Sequence, residues 1–249
     1  MGWVIEHTGL APEEAADNGN RFLVGNGYMG VCGTLDEHGA GELAAVNLAG
    51  VYDQVGEGWR EPLNAPNPLH TLVRAGGAPL ANRPVRSHVQ RLDFRRGVAS
   101  RDTVWEVSGG SVLVSSRRIA HMARPHILAG SFMLQADCPV ELELFADIDR
   151  DIWEIYGPHY ERFEWAQERD TLLCLAKVQN GKDQVAVGRR CHLSLCGERT
   201  AGEGSFTYRL TLDPGRPVVL ESVCAVYTTA DTPDPLGAVR EELAQTAGW

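Results

Sequence analysis

The chain has 249 residues, 43% of them hydrophobic and 22% charged, with a formal net charge of −10. That length suffices for one large β-sandwich or barrel or for two small domains, hiding roughly 70–75% of the surface that the unfolded chain exposes. The acidic balance excludes the basic face that a nucleic-acid backbone demands, and no run approaches the ~18 apolar residues of a membrane span.

The N-terminal stretch "MGWVIEHTGLAPEEAAD" lacks the basic start and apolar run of a secretion signal, so a cytoplasmic location is expected. Next comes "RFLVGNGYMGVCGTLDE", in which Gly25, Gly27 and Gly30 spell the G-x-G-x-x-G spacing of a dinucleotide turn, with Asp53 at a suitable remove. The fingerprint needs a helix after the glycines. Here Gly33, Gly39, Gly41 and the β-branched Val31 and Thr34 follow, and each interior glycine costs a helix roughly 1 kcal/mol. The glycines therefore predict a tight or bulged turn between two strands.

Gly56 to Pro84, rich in Pro, Gly and Asn, reads as a long irregular loop of the functional or disordered kind, with Asn67 as a candidate substrate contact. The arginines of "RLDFRRGVASRDTVW" (Arg91–Trp105) offer an anion clamp or partners for Asp93 and Asp102. Ser115-Ser116 beside Arg117 lacks a G-x-S-x-G elbow, and strand alternation accounts for it better. "SVLVSSRRIA", "PVELELFADI", "TLLCLAKV", "DQVAVGRRCHLSLC", "SFTYRLTL" and "RPVVLESVCAVYTT" all alternate apolar with polar residues, the signature of strands. Turn signals punctuate them at Gly109-Gly110, Asn180-Gly181, Gly202–Gly204 and Asp213-Pro214-Gly215. The expected fold is mainly β, a large antiparallel sandwich.

A single helix is predicted at the end. Asp234 caps it, Pro235 starts it, and Leu236, Val239, Leu243 and Ala244 form its apolar stripe. The stripe either folds back on the sheet or begins a connection onward. The six cysteines, Cys32, Cys138, Cys174, Cys191, Cys196 and Cys224, form no C-x-x-C pair and read as buried reduced thiols. No cofactor or metal is expected. The spacing of Asp147, Asp149 and Asp151 invites calcium, but Ile152 and Pro158 stand where an EF-hand loop needs glycine and glutamate.

"DIDRDIWEIYGPHYERFEW" (Asp147–Trp165) sets five aromatics among six carboxylates. Trp153 and Trp165 are candidates for stacking on a sugar, or for packing at a domain interface. Of the histidines, which include His88, His121 and His126, His159 is the candidate for proton transfer, with Glu154 or Glu161 as its acid.

Six segments in order carry a family resemblance: "NRFLVGNGYMGVCGTLDE", "AGVYD", "NAPNPL", "RLDFRRGVASRDTVW", "SSRRIAHMARPH" and "DIDRDIWEIYGPHY". Together they resemble the N-terminal domain of glycoside hydrolase family 65, which holds the maltose, trehalose, kojibiose and nigerose phosphorylases. Cys32 stands where such proteins often have arginine, and Ala65 where leucine is usual, which leaves the sugar linkage open. The resemblance implies a super-sandwich of the galactose-mutarotase type over residues 1–233, and a helical linker from 234–249 toward a catalytic (α/α) barrel. It implies that the catalytic acid and the phosphate site lie in that barrel, so this stretch alone is inactive. Its role would be to support the barrel, shape access for a disaccharide and take part in dimer contacts, with inorganic phosphate as co-substrate of a phosphorylase. Two other readings are a free-standing carbohydrate-binding module and a mutarotase-like enzyme.

Overall fold

The computed structural model describes residues 2–195 and 198–246. In chain order the first elements are β1 (Val4–Thr8), α1 (Ala15–Arg21), β2 (Val24–Gly25), β3 (Met29–Val31), β4 (Val46–Asp53) and β5 (Glu61–Asn64). They are followed by β6 (Thr71–Ala75), β7 (Ala78–Pro79), β8 (Val85–Asp93), β9 (Val98–Val107), β10 (Gly110–Ala120), β11 (Ile127–Ala136) and β12 (Val140–Asp147). The last are β13 (Tyr160–Glu168), β14 (Thr171–Val178), β15 (Gln184–Leu193), β16 (Glu198–Gly202), β17 (Ser205–Leu212), β18 (Val218–Thr228) and α2 (Pro235–Gln245).

Three antiparallel sheets result. A nine-stranded sheet runs β1-β8-β9-β10-β11-β18-β15-β14-β13. A five-stranded sheet, β16-β17-β12-β6-β7, and a four-stranded one, β2-β3-β4-β5, complete the set. The mainly β expectation holds because the alternating segments became strands: "TLLCLAKV" is β14 and "SFTYRLTL" is β17, residue for residue. Inward residues such as Val112, Val114, Leu134, Leu144, Leu172 and Phe206 fill one main core that draws on all three sheets.

The Gly25–Gly30 signature is a hairpin. Gly25 pairs with Gly30, and Gly27 turns the chain at φ 89°, a value glycine alone adopts freely. The Asn26 carboxamide oxygen accepts from the backbone N–H groups of Tyr28 and Met29, and its nitrogen donates to the carbonyls of His121 and Pro125. That second pair of bonds stitches the hairpin to the turn before β11.

The Gly56–Pro84 stretch corrects the loop expectation, because it contains β5, β6 and β7. Its prolines hid the strands. Pro62 lies in β5, at the edge of the four-stranded sheet, where a missing N–H costs no ladder bond.

α2 begins as predicted, with Asp234 Oδ1 accepting from the Gly237 N–H at 2.9 Å. It folds back on the outer face of the nine-stranded sheet. Val239 and Leu243 are buried there with Ile127, Leu173, Ala186, Val223 and Ala225. Arg190 donates to the carbonyls of Leu243 and Thr246 at the helix C-terminus. Among the described residues no helix is long and apolar enough to cross a membrane.

The described cysteines are all free; Cys174, Cys191 and Cys224 are buried, whereas Cys32 and Cys138 are half-buried. Burial pushes the Cys174 and Cys224 thiols up to about 12. Cys196 lies outside the described residues.

Candidate functional site

One corner of the molecule combines buried charge with exposed aromatic surface. It is built by the β4–β5 hairpin and the segment that runs from β12 to β13. β4 ends at Asp53 and β5 begins at Glu61, which places both carboxylates at the base of the hairpin loop, paired across the two strands. His159 sits between them. Its Nδ1 lies 3.0 Å from Asp53 Oδ2, and its Nε2 lies 2.9 Å from Glu61 Oε1 at an angle poor for a hydrogen bond. All three residues are buried, His159 to 1% exposure. Glu61 also accepts from the backbone N–H groups of Ile155 and Tyr156, and Glu154 accepts from the His159 N–H.

Burial alone would lower the His159 pKa, but its hydrogen bond to Asp53, its close contact with Glu61 and the Glu154 charge outweigh that and hold it above the ordinary histidine value. Burial likewise opposes ionisation of Glu61, yet the backbone donors and His159 hold its pKa below the carboxylate norm. The arrangement is an imidazole clasped by carboxylates that favour its protonated form, each partly paid back for lost hydration by hydrogen bonds.

The clasp displays an aromatic tip. Gln54 Nε2 donates to the Gly58 carbonyl at 2.9 Å and shapes the loop. Trp59 stands 73% exposed at its end, with Tyr52, Ile155 and Tyr156 exposed on the same two segments. The Arg60 guanidinium lies 5.4 Å from the Tyr52 ring centroid, and the Tyr156 side chain packs over Gly58. The loop thus presents large apolar side chains above a buried, charged base.

The residues selected from sequence fall unequally around this corner. The partners expected for His159 were Glu154 or Glu161; the structure places Asp53 and Glu61 on its ring, while Glu161 is exposed. Trp153 is half-buried, its carbonyl accepting from Asn64 Nδ2. Asn67 pairs through its backbone with Asp149 on the same segment. Trp165 stands apart on β13, against the turn at Gly204, with the rings of Phe163 and Tyr160 between it and the corner. Trp59 and Tyr52 were missed. A lone tryptophan in "VGEGWREP" carries no periodicity to flag it, although the Gly-Glu-Gly before it signals an exposed turn.

The other candidates have structural partners. Arg91 pairs with Glu6 and Asp102, and Arg96 with Asp93. Arg101 is buried and binds Asp36 at 2.9 Å and Glu37 at 2.5 Å, while Arg118 and Ser116 also contact Asp36. Ser115 donates to Asp102. His88 hydrogen-bonds Thr103, and burial together with the Arg101 charge pushes its pKa down to about 4. His126 stacks on Tyr227, and His121 accepts from the backbone of Ala123 and Arg124. Asp147 pairs with His70, and no metal-holding cluster occurs among the described residues.

Comparison with known proteins accounts for the architecture. A nigerose phosphorylase of Lachnoclostridium phytofermentans is 42% identical over 170 residues, spanning 68% of this chain and 23% of that protein. A 1,2-alpha-glucosylglycerol phosphorylase of Bacillus selenitireducens is 27% identical over 241 residues, 94% of this chain and 32% of its own length. A solved structure described as a putative kojibiose phosphorylase from the human microbiome superposes with a TM-score of 0.81 at 14% identity, covering 98% of this chain and 36% of that one. The chain thus spans between about a quarter and a third of the length of these curated relatives. Residues 5–249 match the N-terminal domain of glycosyl hydrolase family 65, and the chain belongs to that family.

Proposed function

We propose that this chain is the non-catalytic N-terminal β-sandwich of an inverting α-glucoside phosphorylase or hydrolase acting in cytoplasmic carbohydrate metabolism. In this reading it supports a catalytic (α/α) barrel, shapes the access of a disaccharide and contributes to dimer contacts. Cleavage with inversion requires an acid on the leaving oxygen and a water or phosphate on the opposite face. The acidic side chains at this corner are instead spent on clasping His159. The observation that carries the reading is the Trp59 tip, an exposed aromatic surface on a rigid base, in a chain matching a quarter to a third of phosphorylase relatives.

The test is an assay of the chain with nigerose, kojibiose, maltose and trehalose, each with phosphate and with water alone. No sugar release is expected, and turnover by the chain itself would overturn the non-catalytic role. In the longer enzyme, Trp59→Ala is expected to raise KM severalfold with a smaller change in kcat. An unchanged KM would remove the tip from the access path.

A carbohydrate-binding module is the second reading, favoured by the exposure of Trp59 and Tyr52. It requires saturable binding of one of these sugars by the chain alone, lost on Trp59→Ala. A mutarotase-like role is not favoured, because the candidate histidine is enclosed between carboxylates.

A further inference from the structure

α2 covers the outer face of the nine-stranded sheet over β14, β15 and β18. Beyond the helix that face opens into a groove of about 730 Å³, floored by Val98 and Ile119 and crossed by Arg117. Arg117 differs from the other arginines of that face. Arg91 is held by Glu6 and Asp102, and Arg96 by Asp93. Asp102 is further occupied by the Ser115 hydroxyl, and Asp93 by the backbone N–H groups of Arg95 and Arg96. Asp93 and Asp102 are thus committed, Glu221 stands farther along the groove, and among the described residues Arg117 has no acidic partner.

Strand register fixes what flanks it. Ser100 on β9 and Ser131 on β11 are its cross-strand neighbours, and Glu221 on β18 lies next to Ser131. All four line the groove. Two small hydroxyl residues leave room beside a free guanidinium, and a carboxylate stands two strand spacings away, about 10 Å along the row. A guanidinium grips phosphate through two parallel N–H bonds, with serine hydroxyls able to add donors. Glu221 is placed to accept from hydroxyl groups of a ligand that continues along the row over the apolar floor.

We propose that this groove is a binding site for a hexose phosphate, with the phosphate on Arg117, Ser100 and Ser131 and the sugar hydroxyls toward Glu221. In a protein of net charge −10, such a site has to be local, because the overall field repels anions.

The test is calorimetric titration of the protein with glucose 6-phosphate, inorganic phosphate and glucose, at low and at physiological salt. Saturable binding of glucose 6-phosphate is expected, at least tenfold tighter than either fragment and weakened by salt. Arg117→Gln should weaken it by about tenfold to a hundredfold, the range for one charged hydrogen-bonded contact. Because Arg117 is exposed and unpaired, that variant should melt with the wild type. Arg209→Gln, which removes an exposed arginine from the opposite sheet, is the charge control and should bind normally. Absence of binding, phosphate binding as tightly as the ester, or equal losses in the two variants would each overturn the proposal.

Discussion

His159 shows how one side chain ties distant segments together, and its chemistry fixes how the tie responds to pH. The histidine is raised above its unfolded value of 6.5. Its contribution to stability is therefore complete below that value and is lost as pH climbs through the raised pKa. Glu61 is lowered from 4.5, so its contribution is present above that value and lost as pH falls through the lowered pKa. Between these limits the clasp is charged on both sides; the Glu154 charge helps hold the imidazolium, although burial raises the Glu154 pKa. Thermal melts from pH 5 to 9 should show the melting temperature declining on the alkaline side, and His159→Gln should flatten that limb. Parallel profiles for the two proteins would mean that the clasp is energetically silent. The Asp36 network makes a second prediction at this scale. Asp36 is buried against Arg101, Arg118 and Ser116, and Asp36→Ala leaves Arg118 without a carboxylate partner and Arg101 with Glu37 alone. Losing one partner of a buried pair costs about 3–5 kcal/mol, readable as a shift in the denaturant midpoint at unchanged slope. Of these contacts the sequence offered Glu154 beside His159, but not the pairings of His159 with Asp53 and Glu61 or of Asp36 with Arg101 and Arg118. Asp53 and His159 stand 106 residues apart, and Asp53 even mimicked the acid of a dinucleotide fingerprint.

At the scale of elements the sequence was far more legible. Period-two alternation named β10, β12 and β17 because their outward residues are largely polar, and it survived in β14, β15 and β18 although α2 buries Leu173, Ala186, Val223 and Ala225 on their second face. It failed over Gly56–Pro84, where β5 and β7 are four and two residues long, too short for a period to emerge among prolines. The C-terminal helix was readable from its cap and stripe, but not from its seat. That seat is Gly188 on β15, where an added Cβ would lie 2.5 Å from Val239 Cγ1 and 2.7 Å from Leu243 Cδ1. Gly188→Ala should therefore lift α2 from the sheet, and Asp234→Ala should weaken its start by about 1 kcal/mol. Hydrogen exchange separates the two outcomes. The glycine variant should lose protection across α2 and at its contacts on β14, β15 and β18, whereas the cap variant should loosen only the first turn. Full protection of α2 in Gly188→Ala would show that the helix is not held by this close approach.

For the whole molecule the question is which surface faces the remainder of the enzyme that the proposed function calls for. Two exposed tryptophans give the comparison, Trp59 on the tip at 73% exposure and Trp3 beside β1 at 62%. They are similarly accessible in this chain and sit on different segments, one on the β4–β5 loop and the other at the free edge of the nine-stranded sheet. Hydroxyl-radical labelling should therefore oxidise both at similar rates here. If the clasp exists to present the tip to a catalytic barrel, Trp59 should become several-fold less reactive in the longer enzyme while Trp3 keeps more of its reactivity. A disaccharide substrate should protect Trp59 further, since closing an access path removes water from its walls. The opposite pattern, with Trp3 shielded and Trp59 still open, would assign the domain contact to the sheet edge. The clasp would then hold a loop for some other partner, and the rigidity of the Asp53–His159–Glu61 base would need a different explanation.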